Sequence, residues 1–162
     1  MDGVWVTSAE ERLAELYESK ASACLRLAYL MTGDAEASED ILQDAFVRCF
    51  ATLRDRGNPA RLDAYLRRSI VNLSHDRHRK LRTMRDHAAR STPDVVEASD
   101  PSERVSFFEH LRDLPHRQRG AIVLRYYEDL SAQDAADVLG CSVGALKQLV
   151  QRALNTLRRG NA

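Results

Sequence analysis

In residues 130–159, hydrophobic and polar positions follow the helical period in two segments, which a short turn separates. Ser131 is a good N-cap, and Asp134 suits the positive end of the first helix. Gly140 suits the left-handed conformation that ends a helix, and Ser142 is placed to cap the next one. The pattern predicts a helix-turn-helix, the arrangement whose second helix enters the major groove in DNA-binding proteins.

The second helix of this pair has one apolar and one polar side. At about 100° per residue, its apolar stripe contains Val143, Leu146, Val150, Ala153, Leu154 and Leu157. The opposite side carries Gln148, Gln151, Arg152 and Asn155, with Lys147 on the flank. Such an outer face suits contacts with base edges and phosphates. An ordinary amphipathic surface helix is the alternative, but the Ser caps and the Gly turn favour the helix-turn-helix.

Helical periodicity also extends through the first half of the chain. A first helix is expected to start at the capping box of Ser8, and Asp34 is expected to cap a second. A third helix should follow a break in the pattern, where Asn58 can cap and Pro59 fits the first helical position. Three helices of this size can bury one core, so residues 8–85 are predicted to form one domain.

The apolar periodicity fades after the third helix. Residues 86–100 are predicted to be a flexible acidic linker, because their last ten positions hold three acidic residues and no basic one. Helix restarts with Asp100 as N-cap and Pro101 as first helical residue, and Pro115 begins a further helix. Residues 101–160 therefore form a second, four-helix domain, and the predicted fold class is all-α with two small helical domains.

Charge is arranged in alternating blocks, although the chain of 162 residues has a formal net charge of zero. The net charge is −5 in residues 1–60, +6 in residues 61–90, −4 in residues 91–134 and +3 in residues 135–162. Two basic blocks indicate two contacts with nucleic acid. The acidic blocks indicate a second kind of partner, with solvated helix faces as the alternative for many individual charges.

The sequence contains no pattern typical of catalysis or of cofactor binding. There is no Gly-rich phosphate loop, nucleophile motif or metal-ligand spacing, so we expect neither an enzyme nor a cofactor. His75 and His78 flank a basic run that would repel a cation, so no metal site is expected there. Cys24, Cys49 and Cys141 are far apart in the sequence and are predicted to be reduced, small apolar fillers.

The ends and the apolar runs of the chain indicate its location. No apolar run approaches the roughly 20 residues of a membrane span. The first residues lack the basic region and the apolar core of a secretion signal. We therefore expect a cytoplasmic protein, with no membrane partner and no small-molecule substrate.

Taken together, these segments resemble a bacterial RNA polymerase sigma factor of the extracytoplasmic-function group. DAEASEDILQDAFVR, residues 34–48, is similar to region 2.2, which docks on the polymerase clamp. LRRSIVNLSHDRHR, residues 66–79, is similar to regions 2.3 and 2.4, which melt and read the −10 element. LPHRQRGA, residues 114–121, and the helix-turn-helix resemble region 4, which reads the −35 element. The resemblance covers nearly the whole chain.

The resemblance implies a set of residues for each contact. Capture of unstacked bases along a phosphate backbone requires cations and a pocket-forming loop, and the implied −10 residues are Asn58, Arg61, Arg67, Asn72, Arg77, Arg79 and Lys80. The implied −35 residues are Ser131, Ser142, Lys147, Gln148, Gln151 and Arg152. The outward face for core polymerase is expected at Asp40, Gln43, Asp44 and Val47. The implied partners are core RNA polymerase, at its clamp and flap, promoter DNA, and an anti-sigma factor that packs between or around the domains.

Two helices depart from the family pattern. The recognition helix of the family usually reads Val-Lys-Ser-Arg, where residues 146–149 of this chain read Leu-Lys-Gln-Leu. Leu149 lies off the apolar stripe, so the missing Arg is expected to weaken or redirect −35 recognition, or to add an apolar patch for a partner. Tyr65 stands where Trp is common on the third helix, and Tyr can still stack.

Three functions of different classes are compatible with these observations. The favoured one is a promoter-specificity subunit that binds core polymerase and performs no chemistry. The second is a free-standing transcriptional regulator that binds duplex operator DNA through residues 131–159, and the third is a protein-interaction module. We expect two compact helical bundles on a flexible, negatively charged tether, which contact promoter DNA at separate places. A single fused globule, or a buried face around Gln148 and Arg152, would contradict this organisation.

Overall fold

A computed structural model describes residues 3–56, 62–88 and 103–160 of the chain. These residues form seven α-helices, one of them continued by a π-helical stretch, and contain no strand, as the predicted all-α class requires. In chain order the elements are α1 (Gly3–Thr32), α2 (Ala35–Arg56), α3 (Leu62–Ala88), α4 (Glu103–Asp113), α5 (His116–Ile122, continued by the π-helical stretch Val123–Tyr127), α6 (Ala132–Leu139) and α7 (Val143–Gly160).

Helices α1, α2 and α3, called the first unit below, pack through the apolar faces that the periodicity predicted. Leu27 and Met31 of α1, Cys49 of α2, and Leu66 and Ile70 of α3 are almost completely buried. Burial of one large aliphatic side chain contributes about 1.5–3 kcal/mol. These faces therefore hold the three helices together.

The turn between α1 and α2 follows the predicted capping signals. Gly33 has a φ of +68°, a left-handed conformation that favours glycine. The Asp34 carboxylate accepts the backbone N–H of Ala37 at 3.1 Å, as an N-cap does. The predicted start of the first helix at Ser8 is wrong, because α1 already begins at Gly3. Extending an existing helix costs far less free energy than nucleating one, and no proline intervenes.

Three other predicted boundaries involve residues that the structure describes only in part. The caps expected at residues 58–59 and 100–101 lie outside the described residues. Helix α3 continues to Ala88, so the start of the predicted linker, residues 86–100, is helical. No glycine or proline interrupts the helix there. The remainder of the predicted linker lies outside the described residues.

Helices α6 and α7 form the predicted helix-turn-helix. The Ser131 hydroxyl accepts the backbone N–H of Asp134, and the Ser142 hydroxyl accepts that of Ala145, each at 3.1 Å. Gly140 ends α6 with a φ of +64°. The two caps and the glycine therefore perform the local roles that the sequence predicted.

The π-helical stretch at the end of α5 was not predicted. The backbone N–H of Glu128 bonds to the carbonyl of Val123 at 3.0 Å, which is the five-residue spacing of a π-helix. Residues 121–124 are all buried, although four consecutive positions point to most sides of a helix. This segment is therefore surrounded by other helices, and its burial on every side leaves no amphipathic period to read.

The first unit packs directly against helices α4 to α7, called the second unit below. One continuous cluster of buried side chains extends from Leu27 and Ile70 in the first unit to Val123 and Leu146 in the second. Helix α3 contacts α5 and α6, and α1 contacts α4 and α5. The two predicted helical domains are therefore docked on each other in this structure, an arrangement that the sequence left open. Periodicity reports which face of a helix is buried, but it does not report which neighbour buries it.

Candidate nucleic-acid and polymerase interfaces

Helix α7 presents a polar face to solvent. Leu146 and Ala153 are buried on its inner side and fix the orientation of the helix. The exposed predicted residues on the outer side are Lys147, Gln148, Gln151 and Arg152. Within the described part of the chain, neither Lys147 nor Arg152 forms an ion pair. Their charges are therefore available to phosphates or base edges.

Ser131 and Ser142, the other predicted −35 residues, stand at the beginnings of α6 and α7. Both are exposed, and their hydroxyls accept backbone N–H groups in the caps described above. The first turns of helices carry N–H groups without partners in the helix and a partial positive charge, which attract phosphates. The structure therefore places both serines where a DNA backbone could approach.

Leu149 is less exposed than its position on the helical wheel indicated. It is half-buried and packs against the central cluster of apolar side chains. Helix α7 contacts both α5 and α6, so its apolar sector is wider than a single packing partner would require. Leu149 thus adds to the core and offers less exposed apolar surface than expected.

Helix α3 carries the predicted −10 residues, and two of its cations are engaged in ion pairs. Arg67 Nε lies 3.1 Å from the Glu128 carboxylate of the second unit, with the side chains 25% and 15% exposed. Arg77 lies 3.2 Å from the Asp34 carboxylate at the start of α2. The exposed remainder of the predicted set comprises Asn72, Arg79 and Lys80. Asn58 and Arg61 lie outside the described residues.

Helix α2 separates its predicted core and docking residues as expected. The predicted docking residues, which are all exposed, are Asp40, Gln43, Asp44 and Val47. Val47 is 67% exposed, which is high for an aliphatic side chain. The neighbouring residues Leu42, Ala45 and Phe46 point inward and are buried. This face therefore combines carboxylates with an exposed apolar side chain, a composition that suits a partner protein.

Sequence reasoning missed a histidine cluster, formed by His75, His78 and His116, where the two units meet. The Nδ1 atoms of His75 and His116 lie 3.3 Å apart, and the His78 ring stacks on His116 with centroids 5.5 Å apart. His116 is 5% exposed, and burial lowers its pKa to about 3. Burial also lowers the pKa of His78. His75 and His78 had been considered only as a metal pair, and no pattern in the sequence linked them to His116.

The sequence also gave no sign that Arg119 joins the units. Its buried guanidinium donates hydrogen bonds to the carbonyls of Met31 at 2.6 Å, Leu111 at 2.8 Å and Arg112 at 2.7 Å. These carbonyls lie in the last turns of α1 and α4, where carbonyls lack partners within the helix and the helix dipole is negative. Arg119 of the second unit therefore caps one helix from each unit, and burial lowers its pKa.

The cysteines pack as the predicted apolar fillers. Cys24 and Cys49 are buried with free thiols, and Cys141 is half-buried. Burial raises the pKa of Cys24 to about 12 and that of Cys49 to about 11. Both thiols therefore stay protonated and poorly reactive at neutral pH.

Across residues 3–56, 62–88 and 103–160, no group of His, Cys, Asp and Glu side chains is arranged to hold a metal ion. Among the helices that the structure describes, none has the length and apolar content needed to cross a membrane.

Comparison with known protein families identifies both units. Residues 16–84 match Sigma-70 region 2, and residues 107–157 match Sigma-70, region 4. The chain is 30% identical over 146 residues to the RNA polymerase sigma-E factor of Streptomyces coelicolor, with 89% of this chain and 82% of that protein covered. It is 29% identical over 153 residues to the ECF RNA polymerase sigma factor SigE of Mycolicibacterium smegmatis, with 89% and 59% covered.

A solved structure has a similar fold. It is the sigma factor RpoE in complex with the anti-sigma factor NepR from Bartonella quintana, with a TM-score of 0.73 and 22% sequence identity. The match covers 93% of this chain and 96% of that one. The family matches and the relatives agree over both units. This chain belongs to the extracytoplasmic-function (ECF) group of the sigma-70 family of RNA polymerase sigma factors.

Proposed function

We propose that this chain is a promoter-specificity subunit, which binds core RNA polymerase and directs it to promoters while the polymerase carries out the chemistry. The observation that carries the proposal is the presence of two kinds of exposed face in one sigma-family chain. Helix α7 of a helix-turn-helix exposes a polar face, and α2 exposes a mixed acidic and apolar face. A regulator that acts alone on DNA requires the first face but not the second.

The −35 element is assigned to the outer face of α7. The residues proposed are Lys147, Gln148, Gln151 and Arg152, together with Ser131 and Ser142 at the helix starts. Gln pairs well with adenine edges, and Arg and Lys pair with guanine edges or phosphates. The exposure of the four α7 side chains supports this assignment.

The −10 element is assigned to α3 and the segment before it. The residues proposed are Asn58, Arg61, Arg67, Asn72, Arg77, Arg79 and Lys80. Cations along a helix can follow the phosphates of a separated strand while bases are held in a pocket. Arg67 is paired with Glu128 in the docked structure, so this assignment requires that pair to separate when DNA binds.

Core polymerase is assigned to the α2 face of Asp40, Gln43, Asp44 and Val47, which would meet the clamp, while the second unit meets the flap. Carboxylates around an apolar side chain fit a basic surface with a small apolar recess. We also propose an anti-sigma factor as a regulatory partner, since the structural relative RpoE was solved with one. A cytoplasmic location follows from the proposed partners, polymerase and promoter DNA.

Run-off transcription with core polymerase on a library of promoter sequences tests the proposal. The expected result is initiation at a subset of promoters that share −10 and −35 elements, together with co-elution of the chain and core polymerase. Failure to co-elute, combined with tight binding to a duplex operator without polymerase, would instead favour the free-standing regulator. Two half-sites about one helical turn apart in that operator would strengthen the alternative.

A further inference from the structure

The histidine cluster connects the two units through three imidazole side chains. His75 and His78 belong to α3, and His116 belongs to α5. The aromatic contacts of His116 are both with α3, with ring centroids 5.0 Å from His75 and 5.5 Å from His78. Separation of the units would therefore remove the rings that cover His116 and would admit water.

The geometry around His116 fits a neutral ring better than a charged one. A hydrogen bond between the Nδ1 atoms of His75 and His116, 3.3 Å apart, requires one donor and one acceptor, so both atoms cannot carry protons. The Nε2 atom of His116 is buried and has no hydrogen-bond partner among the described residues. A protonated His116 would therefore bury an N–H group without an acceptor, which is costly.

The charges around His116 act in the same direction. The groups that lower its pKa are His75 and His78 of α3, and Arg117 and Arg119 of α5, after burial as the largest cause. Arg82 and Arg85, further along α3, lower the pKa of His78. From the end of α4, Arg112 and Asp113 act on Arg119 with opposite signs. After burial, the groups that act most strongly on the pKa of His116 are all cationic when protonated.

We propose that the histidine cluster makes the docking of the two units depend on pH, so that acidification separates them and uncovers α3. Protonation of His116 adds a positive charge beside other cations and leaves the N–H group of its buried Nε2 atom without an acceptor. In the separated state water solvates the same charge. The uncovering of α3 for promoter DNA rests on the function proposed above, whereas the separation itself does not.

The direction and size of the effect follow from proton linkage. The pKa of His116 is about 3 in the docked structure, against an ordinary value of 6.5. A lowered histidine pKa stabilises docking at pH values above the ordinary one, and this stabilisation is lost as the pH falls below it. Between pH 7.5 and pH 5.5, the ratio of separated to docked molecules is expected to rise about tenfold.

Single-molecule energy transfer on the full chain measures that ratio without DNA or polymerase. Arg48→Cys on α2 and Arg158→Cys on α7 provide exposed labelling sites, one on each unit. Cys141→Ser removes the half-buried native thiol, and the buried Cys24 and Cys49 stay protonated at the labelling pH. Transcription assays are separate, so a failure of the proposed function leaves this measurement interpretable.

The labelled chain is expected to show at least this tenfold rise in the ratio of separated to docked molecules. The same chain with His116→Leu should show a smaller rise, because the lowered pKa of His78 remains. His87→Gln, at an exposed histidine outside the cluster, is the matched control and should keep the full response.

If separated molecules are too rare to count, Glu128→Gln weakens the pair with Arg67 and the same tenfold rise is required. Should His116→Leu fail to fold, His116→Gln, which keeps a polar but non-titrating side chain at this position, must reduce the response. The proposal is overturned if the ratio of separated to docked molecules does not change with pH in the labelled chain. It is also overturned if that ratio changes equally in the His116 variant.

Discussion

Helices α3 and α7 are both assigned to promoter DNA, but the structure presents their polar faces differently. The cations of α7 point into solvent. On α3, Arg67 is held by Glu128, and the helix serves as packing surface for α5 and α6. Helix α7 is thus presented to solvent. Helix α3 is partly covered by the second unit, to which α7 belongs.

The difference means that the two proposed DNA contacts are not independent of each other. Docking buries apolar side chains from both units in one cluster. It also satisfies helix-end carbonyls through Arg119 and neutralises Arg67 through Glu128. Any partner that separates the units must therefore replace these interactions, and changes at the junction should affect α3 more than α7.

The largest expected effect comes from removing the buried cation that joins the units. Arg119→Met removes the side-chain donor to the carbonyls of Met31, Leu111 and Arg112, of which Leu111 keeps the backbone N–H of Leu114. A buried polar group without a partner costs about 1–3 kcal/mol. We expect the free energy of unfolding in urea to fall by roughly 3 kcal/mol in total. Arg159→Met, at an exposed arginine, should change it by less than about 0.5 kcal/mol, and a similar small loss in both variants would contradict the assigned role.

Charge reversal on α2 tests the face proposed for core polymerase, which lies on neither α3 nor α7. Asp44→Arg is expected to weaken binding to core polymerase about tenfold, because like charges meet where opposite charges were proposed to meet. Asp44 is exposed, so helical content and thermal stability should stay unchanged by circular dichroism. Glu109→Arg, an exposed reversal on α4, is the control. Normal holoenzyme assembly by Asp44→Arg would remove Asp44 from the docking face.

Loss of one cation from α7 tests the exposed side of the comparison. Arg152→Ala should reduce run-off transcription roughly fivefold, as loss of about 1 kcal/mol of DNA binding predicts. If Arg152 contacts a phosphate, the slope of log affinity against log salt should become smaller by about 1. Lys20→Ala removes a cation of the first unit that pairs with Asp63 and should leave both measurements unchanged. Unchanged promoter activity in Arg152→Ala would reject Arg152 as a contact.

The features that the sequence predicted correctly are those that neighbouring residues decide. Ser131, Ser142 and Asp34 accept backbone N–H groups within three residues, and Gly140 ends a helix by its own conformation. The exposure of the polar α7 face followed from helical period, whereas the outward face of α2 came from the family resemblance. Each of these signals is local, so one short segment contains all of it.

The features that were missed depend on segments far apart in the sequence. The pair of Arg67 and Glu128 spans 61 residues, and the bond from Arg119 to Met31 spans 88. His116 meets His75 across 41 residues. No period or motif in either segment of such a pair identifies the other. The docked arrangement and the histidine cluster therefore became visible only in three dimensions.

The smallest expected effect distinguishes α3 from α7 most directly. Glu128→Gln removes the charge that holds Arg67 while preserving the shape of the side chain. A partly exposed ion pair contributes about 0.2–1 kcal/mol, so the affinity of the free chain for single-stranded −10 DNA should rise by less than about fivefold. Fluorescence anisotropy with labelled oligonucleotides measures this affinity.

Affinity for a −35 duplex should not change in the same variant, because Glu128 lies on neither α6 nor α7. Asp63→Asn, which breaks the exposed pair with Lys20, is the matched control and should alter neither affinity. A selective rise for −10 DNA means that the second unit restrains α3 through this pair. An equal rise for both DNAs would instead reflect the removal of one negative charge from the whole chain, and the contrast between α3 and α7 would then not depend on docking.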